Sequence, residues 1–446
     1  MSFRNIQLLT CVVLTGLFLS LQFAPSATAQ GSGAFELGGQ TLTFLNPDEM
    51  RAAGMTWLKM QVTYRRGGPN GDAQNVITHA RNHGFKVLLS IKGEKSEFAG
   101  ERHNPEHIEA RNIYYQDYAN YVASVAGSVT PPDAIEIWNE PNIEAEWPVG
   151  LIDGEEYTNM LRRAYPAIKA ANPDVMVISG APAPTGFFGG ADCIDNDNGC
   201  DDNIFIQEMA AAGAADHFDC TGIHYNEGVL PPSASSGDPR GNPNHHTRYY
   251  PTMVNLYRSV FPTKPLCFTE IGYISPDGLG GLPAGLEWGL NTSAQEQAQW
   301  LAQAAQISRD SGIVRLMIVW NVNATFKPDN VFAGWAIIRA NNQCLACDTL
   351  ANVMGIRAPR RNVYTTNRVT LAWGGVTWAQ SYQLQISQQR NMGKPLVHEA
   401  TVDGSTLQLR TPALSTGQYF WRVRAQQSDS SWGDWSTVDE FYIDAP

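Results

Sequence analysis

The sequence predicts an α/β protein, a (β/α)8 TIM barrel followed by a small all-β sandwich. Between residue 35 and about residue 350, short apolar segments rich in β-formers alternate with helical patterns, eight times in all. Continuous apolar strands joined through helices are typical of a parallel sheet that is buried on both faces. An open doubly wound sheet is disfavoured, because no glycine-rich phosphate loop follows the first strand and eight units is the number that closes a barrel.

The predicted barrel strands are the short apolar segments of this alternation. They are Phe35–Leu37, Trp57–Val62, Lys86–Ile91, Ala134–Trp138, Val175–Ser179, Phe218–His224, Pro265–Glu270 and Val314–Trp320. Helical patterns lie between them at Pro47–Ala53, Ala73–His83, Pro105–Ala126, Glu155–Ala171, Asn203–Ala212, Thr247–Val260 and Ala294–Ser311. Asn46-Pro47 and Asn104-Pro105 each place a capping side chain before a proline at the first helical position, which is typical of a helix start.

The residue pattern of the sequence changes after Gly355. Short alternating segments separated by Gly, Ser, Asp and Pro indicate a small antiparallel sandwich. Its predicted strands are Val369–Trp373, Tyr382–Ile386, Leu407–Leu409, Tyr419–Ala425 and Glu440–Ile443, with Trp373, Tyr382, Tyr419 and Trp421 as core aromatics. The segment Tyr419–Ala425, with Trp435-Ser436, resembles a fibronectin type III domain. The predicted domains are therefore a barrel over 30–355 and a sandwich over 356–446, and the sandwich could be a spacer, a docking module or a weak sugar binder.

The N-terminal segment 1–29 has the pattern of a signal peptide. Arg4 precedes an apolar run over Ile6–Leu21, and Ala27-Thr28-Ala29 is a small-x-small cleavage signal. We expect a secreted protein, extracellular, periplasmic or at the cell surface, with no membrane span. The formal charge of −12 over 446 residues argues against a nucleic-acid partner, which would need a basic face. We expect a monomer.

Six cysteines follow the predicted signal peptide, and an oxidising compartment favours disulfides between them. Cys193 and Cys200 bracket a tight polar loop, and Cys344 and Cys347 form a C-x-x-C without a second pair that could complete a zinc site, so each pair is predicted to be a local disulfide. If His224 and Glu270 both point into the barrel, alternation directs Cys220 inward and Cys267 outward. The sequence therefore predicts that Cys220 and Cys267 are free and buried.

Two glutamates stand at the ends of predicted strands, where the catalytic groups of a parallel barrel project. The fourth strand ends in Trp138-Asn139-Glu140-Pro141, and the seventh ends in Thr269-Glu270. These two strands lie across the barrel mouth from each other. Two carboxylates that face each other across a cleft can cleave a glycosidic bond, one as the acid and the other as the nucleophile or base.

The motifs around these glutamates are similar to those of glycoside hydrolase clan A, the retaining (β/α)8-barrel glycosidases that include cellulase-like and xylosidase-like families. Trp138-Asn139-Glu140-Pro141 carries most of the resemblance, supported by Thr269-Glu270, Gly222-Ile223-His224-Tyr225 and Trp320. The resemblance implies that Glu140 is the acid/base and Glu270 the nucleophile. It also implies that Asn139 bonds the sugar 2-hydroxyl, that His224 and Tyr225 orient nucleophile and substrate, and that Trp320 floors the reactive subsite.

Other residues complete the predicted site. Burial beside Trp138 would help Glu140 to keep its proton, Tyr225 and Asn139 are the predicted donors to Glu270, and Tyr273 is a possible sugar platform at the mouth. Glu136 is predicted to be an interior structural acid paired with a base such as Lys59. The arginine and histidine that many clan members carry on strands two and three are replaced here by Gln61, Lys59 and Ser90-Ile91-Lys92, so the substrate does not transfer from the resemblance.

The sequence thus predicts a secreted β-glycoside hydrolase that cleaves a poly- or oligosaccharide by double displacement. No cofactor or metal is expected. Two alternatives stay open: a non-catalytic carbohydrate-binding barrel, and a transglycosylase or lyase that uses the same two glutamates.

Overall fold

The structure is a computed structural model that describes residues 34–41, 44–327, 329–339, 343–355, 363–376, 378–389, 391–433, 435–436 and 438–445. The predicted signal peptide lies outside the described residues. No helix within these ranges is both long enough and apolar enough to cross a bilayer.

Eight parallel strands form the barrel. They are β1 (Glu36–Gln40), β2 (Trp57–Tyr64), β3 (Lys86–Gly93), β4 (Ala134–Ile137), β5 (Met176–Ser179), β6 (Thr221–Gly228), β7 (Leu266–Tyr273) and β8 (Val314–Val319). Sequence neighbours pair from β1 to β5 and from β6 to β8, and β1 pairs with β8. A parallel bridge between Ile178 and Cys220 joins β5 to β6 and closes the ring. The predicted barrel is confirmed, with strand ends that shift by a few residues.

Eight helices surround this sheet. They are α1 (Pro47–Ala52), α2 (Gly71–Asn82), α3 (Pro105–Ala126), α4 (Gly154–Ala171), α5 (Asp202–Ala211), α6 (Tyr250–Val260), α7 (Ala294–Ser311) and α8 (Leu345–Val353). Asn104 caps α3 as predicted, since its side chain accepts the Glu106 N–H at 3.0 Å. The predicted cap at Asn46 is wrong. This residue is left-handed, with φ 67°, and its side-chain oxygen accepts from Asn323 instead.

The barrel interior changes from apolar to charged along the strands. A buried cluster fills the lower interior and consists of Trp57, Leu88, Ala134, Ile178, Cys220, Cys267, Leu316 and Ile318. Because side chains two residues apart share one face of a strand, Lys59 and Glu136 form the next layer above Trp57 and Ala134. Both have no exposed surface. The charged layer therefore lies toward the carboxyl ends of the strands.

Cys220 and Cys267 form a disulfide, with Cα atoms 5.9 Å apart, so the prediction that both are free is wrong. The reason is a register shift between β6 and β7. Ile223 pairs with Phe268 whereas His224 pairs with Glu270, which leaves Thr269 as an extra residue on β7. This bulge reverses the alternation below Glu270 and turns Cys267 inward. The predicted pairs Cys193–Cys200 and Cys344–Cys347 are both confirmed.

The C-terminal region is all-β, as predicted. Its strands are β9 (Val363–Tyr364), β10 (Thr370–Ala372), β11 (Ser381–Ser387), β12 (His398–Asp403), β13 (Gln408–Arg410), β14 (Gly417–Gln426) and β15 (Asp439–Ile443). They form a two-stranded and a five-stranded sheet, antiparallel except where β9 runs parallel to β15. Tyr419 is in the core between them, and Trp373 and Trp421 pack against it. The resemblance to a fibronectin type III domain and the domain boundaries stay predictions.

We expect the Cys220–Cys267 bridge to stabilise the barrel more than the Cys344–Cys347 bridge does, because it closes a longer loop. Sequence separations of 47 and 3 correspond to about 4 and about 1.6 kcal/mol of unfolded-state entropy. Urea unfolding of Cys220→Ala/Cys267→Ala and of Cys344→Ala/Cys347→Ala measures the two losses. Peptide mapping without reductant that finds Cys220 and Cys267 as unlinked thiols would contradict the assignment.

Candidate active site

Five charged or chargeable side chains from β2, β4, β6, β7 and the turn after β4 meet between the barrel interior and its mouth, and we call them the charge array. Their order is Glu136, Lys59, Glu270, His224, Glu140. Lys59 Nζ lies 3.1 Å from Glu136 Oε2 and 3.3 Å from Glu270 Oε1. His224 Nδ1 lies 3.8 Å from Glu270 Oε2 and 2.9 Å from Glu140 Oε1. Acidic and basic side chains therefore alternate from the barrel interior to the cleft.

The charge array is fully buried at its interior end and most exposed at Glu140. The side chains of Lys59, Glu136 and His224 have no exposed surface, that of Glu270 is 6% exposed and that of Glu140 is 22% exposed. A carboxylate oxygen of Glu140 and one of Glu270 lie within 4.8 Å of each other. The two predicted catalytic glutamates thus share one small space, and Glu140 is the more accessible of them.

The turn after β4 holds Glu140 in an uncommon backbone conformation. Trp138 and Glu140 have φ of 72° and 45°, values that cost non-glycine residues of order 1–3 kcal/mol. Backbone hydrogen bonds fix both residues, from Trp138 N–H to Ile91 O and from Glu140 N–H to Ala181 O, each at 3.0 Å. Sequence reasoning identified Glu140 as a strand-end acid but gave no sign of this strain.

Asn142 stabilises the same turn and was not predicted as a site residue. Its Nδ2 donates to the carbonyl oxygens of Ala183 and Cys200 at 3.0 and 2.9 Å, and its Oδ1 accepts the Ala183 N–H at 2.7 Å. The side chain is fully buried. It ties the loop after β4 to the loop after β5 and to the Cys193–Cys200 disulfide, which explains why an amide follows the Glu140-Pro141 pair.

The donors to Glu270 are Lys59 and Asn226, not the predicted Tyr225 and Asn139. Asn226 Nδ2 donates to Glu270 Oε2 at 3.2 Å. Tyr225 is adjacent to His224 and so points to the opposite face of β6, where it packs on Tyr250 and donates to a backbone carbonyl. Asn139 Oδ1 accepts from Gln61 Nε2 at 3.1 Å. The alternation that places His224 inward could have identified Asn226, two residues further on.

The predicted pairing of Glu136 with Lys59 is confirmed, and it shifts the protonation of both groups. Burial opposes the charged form of Lys59, but the adjacent Glu136 and Glu270 carboxylates outweigh burial and raise the lysine pKa. Burial likewise opposes the Glu136 carboxylate, yet Lys59 and His224 lower its pKa below the usual value. The interior end of the charge array is therefore an ion pair.

His224 is the group whose charge responds most directly to the two glutamates. Burial disfavours the imidazolium, but Glu270 and Glu140 prevail and raise the pKa of His224 above its ordinary value, even though Lys59 opposes them. Its Nε2 is buried without a hydrogen-bond partner among the described residues. One ring nitrogen thus faces both carboxylates, whereas the other has no competing contact.

The remaining predicted substrate-binding residues differ in exposure. Trp320 is partly exposed and packs against Trp335 with ring centroids 5.2 Å apart. Trp138, Tyr225 and Tyr273 have 1% or less of their surface exposed, so in this structure they support the cleft from behind. Direct substrate contacts of these residues and of Asn139, which is 4% exposed, stay predictions.

Glu140, His224 and Glu270 are also spaced as metal ligands, since one donor atom of each lies within 4.8 Å of the others. The charges around these three residues favour binding of a proton over binding of a metal ion. The buried Lys59 ammonium already neutralises Glu270, and a divalent cation on the same carboxylate would be repelled by it. We therefore describe the site as an array of protonatable groups.

No family model and no curated protein matches the chain. Among solved structures, a glucosidase from Croceicoccus marinus is 11% identical, with a TM-score of 0.48, over 88% of this chain and 96% of that chain. A GH5-4 broad specificity endoglucanase from Clostridium longisporum is 12% identical, with a TM-score of 0.47, over 72% of this chain and 96% of that chain. An endo-1,4-beta-mannanase from Rhizomucor miehei is 14% identical, with a TM-score of 0.44, over 72% and 95%. Likenesses of this size do not assign an activity to the chain.

We expect His224→Gln to lose pH-dependent stability. Because the folded-state pKa of His224 is raised, its protonation stabilises the fold fully below the unfolded value of about 6.5, and this contribution is lost as pH rises through the folded value. The difference in unfolding free energy between wild type and His224→Gln should therefore be largest below about pH 6.5 and shrink at more alkaline pH. Urea unfolding as a function of pH measures it, and a difference that does not change with pH would contradict the raised pKa.

Proposed function

We propose that this protein is a secreted retaining β-glycoside hydrolase that acts on a poly- or oligosaccharide, with Glu140 as acid/base and Glu270 as nucleophile. The observation that carries the proposal is the approach of the two glutamates to within 4.8 Å at the mouth of the barrel. Retaining enzymes hold their carboxyl groups about 5–5.5 Å apart, whereas inverting enzymes need about 6.5–9.5 Å to admit a water molecule. One oxygen of each carboxyl group within 4.8 Å of the other leaves less room than inversion needs, which supports double displacement.

In the first step Glu270 attacks the anomeric carbon. Lys59 and Asn226 hold its carboxylate in place, because each presents an N–H donor to a different oxygen. The new bond joins a Glu270 oxygen to the anomeric carbon while the glycosidic carbon–oxygen bond breaks. The leaving oxygen takes the proton of Glu140, which is the more exposed carboxyl group and can reach it.

In the second step Glu140, now ionised, removes a proton from water, and the water oxygen attacks the anomeric carbon. The ester bond to Glu270 breaks and the sugar leaves with the configuration it had in the substrate. His224 lies 2.9 Å from Glu140 and can stabilise the carboxylate form between the two steps. Glu140 is then protonated and Glu270 ionised, as both were at the start.

The surroundings of the charge array suit a saccharide. Trp335 donates to the backbone carbonyl of Asn226, and the partly exposed Trp320 and Trp288 both pack against the buried Trp335 ring. Aromatic faces of this kind stack on the C–H faces of pyranose rings. In this proposal Trp320 floors the reactive subsite and Asn139 bonds the 2-hydroxyl group. The three disulfides and the predicted signal peptide support secretion.

We expect Glu140→Gln and Glu270→Gln to lose sugar release from a polysaccharide panel. Loss of the general acid should lower kcat/KM by about 10²–10⁴-fold, and loss of the nucleophile should abolish turnover. Glu144→Gln is the matched control, because Glu144 is an exposed acid four residues after Glu140 in the same loop. Equal activity of wild type and Glu140→Gln would exclude the acid role. Products that are unsaturated or longer than the substrate would indicate a lyase or a transglycosylase.

We expect a 2-deoxy-2-fluoro glycoside with a good leaving group to label Glu270. The fluorine slows both steps, and the good leaving group restores the first, so the glycosyl-enzyme accumulates. Intact mass should rise by one sugar, and peptide mapping should place the sugar on Glu270. Glu270→Gln should stay unlabelled, and an adduct on another residue would overturn the assignment of the nucleophile.

A further inference from the structure

We propose that Glu136 is a permanent counter-ion that keeps Lys59 charged through both steps, so that the buried Lys59–Glu136 pair is a positioning device for the nucleophile. The inference rests on the proposed function and assigns a role to a residue that does not touch the substrate. Its basis is the geometry of Lys59, whose Nζ lies 3.1 Å from Glu136 and 3.3 Å from Glu270.

Lys59 donates to Glu270 and to a backbone carbonyl, and it forms an ion pair with Glu136. Its ammonium group has three N–H donors, and it contacts both carboxylates and the backbone carbonyl of Thr269, the last at 3.1 Å. Neither Lys59 nor Glu136 has any exposed surface. Glu136 Oε1 is in turn fixed by the Ala181 N–H at 3.3 Å. The pair is thus held from β2, β4, β7 and the loop after β5.

Stability alone does not account for this arrangement. Burying an ion pair costs several kcal/mol per ion in desolvation, and apolar residues of similar volume are often as stable or more so. The layer directly below is apolar, which shows that the barrel interior can be filled without charge. We infer instead that the Lys59 cation lies against Glu270 because it acts on the negative charge of Glu270 during the reaction.

That charge changes during the proposed reaction. Glu270 is anionic before attack and neutral as a glycosyl ester. If Glu270 were the only partner of Lys59, ester formation would leave an unpaired buried cation, which desolvation strongly disfavours. Glu136 prevents this because its charge takes no part in the bond changes. Lys59 therefore stays protonated and is in place when the Glu270 carboxylate is released.

Because Lys59 is shared between two carboxylates, it stabilises the ionised form of Glu270 less than it would if Glu270 were its only partner. A lysine paired with Glu270 alone would stabilise the free carboxylate more strongly than the transition state, in which the Glu270 charge is partly spent. Glu136→Gln should therefore slow the first step in particular. Labelling by the 2-deoxy-2-fluoro glycoside reports that step, and we expect its rate constant to fall about 10–100-fold, the equivalent of one to two pKa units.

The pH profile separates this role from a structural one. The charged groups that face Lys59 are Glu136 on β4 and Glu270 on β7, with His224 on β6 next in the array. Lys59→Met leaves two buried carboxylates without their cation, so the acidic limb of kcat/KM should move to higher pH. In Lys59→Met/Glu136→Gln the unpaired charge of Glu136 is gone, and the limb should return toward its wild-type position.

The test combines the three variants with a control for folding. Asp202→Asn disrupts another buried acid, the partner of His246, and should change stability without changing the labelling rate of folded protein. If Glu136→Gln does not fold, the comparison of Lys59→Met with the double variant decides the matter. Provided that the wild type is active, two results would overturn this inference. One is a labelling rate of Glu136→Gln equal to that of wild type. The other is an acidic limb of kcat/KM at the same pH in Lys59→Met and in the double variant. Wild type that neither releases sugar nor becomes labelled would overturn the proposed function instead.

Discussion

The buried ammonium of Lys59 is the constraint on which the site depends. A cation with no exposed surface must be neutralised by groups that the fold supplies, and here these come from β4 and β7 across the barrel interior. The strands must therefore close into a ring in one register, with Glu136 and Glu270 on the inner face at the height of Lys59. The same charge pairing therefore links the register of β2, β4 and β7 to the position of Glu270.

The fold could be predicted from the sequence because its main signal is hydrophobic. Apolar runs such as Lys86–Ile91 identify buried strands. Helices α3 and α7 match their predicted bounds, and a capping residue begins each of them, Asn104 before Pro105 in α3 and Ser293 in α7. The strand His398–Asp403 was missed, since half of its residues are exposed and it offers no apolar run. Helix α8 was not among the predicted helices, and its first turn contains the Cys344–Cys347 pair, which was interpreted only as a disulfide.

What sequence reasoning could not supply was the register between strands. One extra residue at Thr269 reverses the alternation on β7, and that single residue decides whether Cys220 and Cys267 face each other. The same limit applies to the site. The two glutamates could be found, because acids at strand ends in a barrel are few, but Asn226 and Asn142 are amides of a kind that occurs in most loops. Their roles depend on contacts of about 3 Å that only the assembled turns define.

In the proposed reaction the net charge of the array does not change. Ester formation removes the negative charge of Glu270. At the same time Glu140 gives up its proton and becomes negatively charged. His224 lies 3.8 Å from the carboxylate that is lost and 2.9 Å from the carboxylate that appears, so it faces one negative charge in either state. Lys59 likewise always faces Glu136. Buried charges are costly when they are unpaired, and an alternating array lets the reacting glutamates exchange charge while each cation keeps a partner.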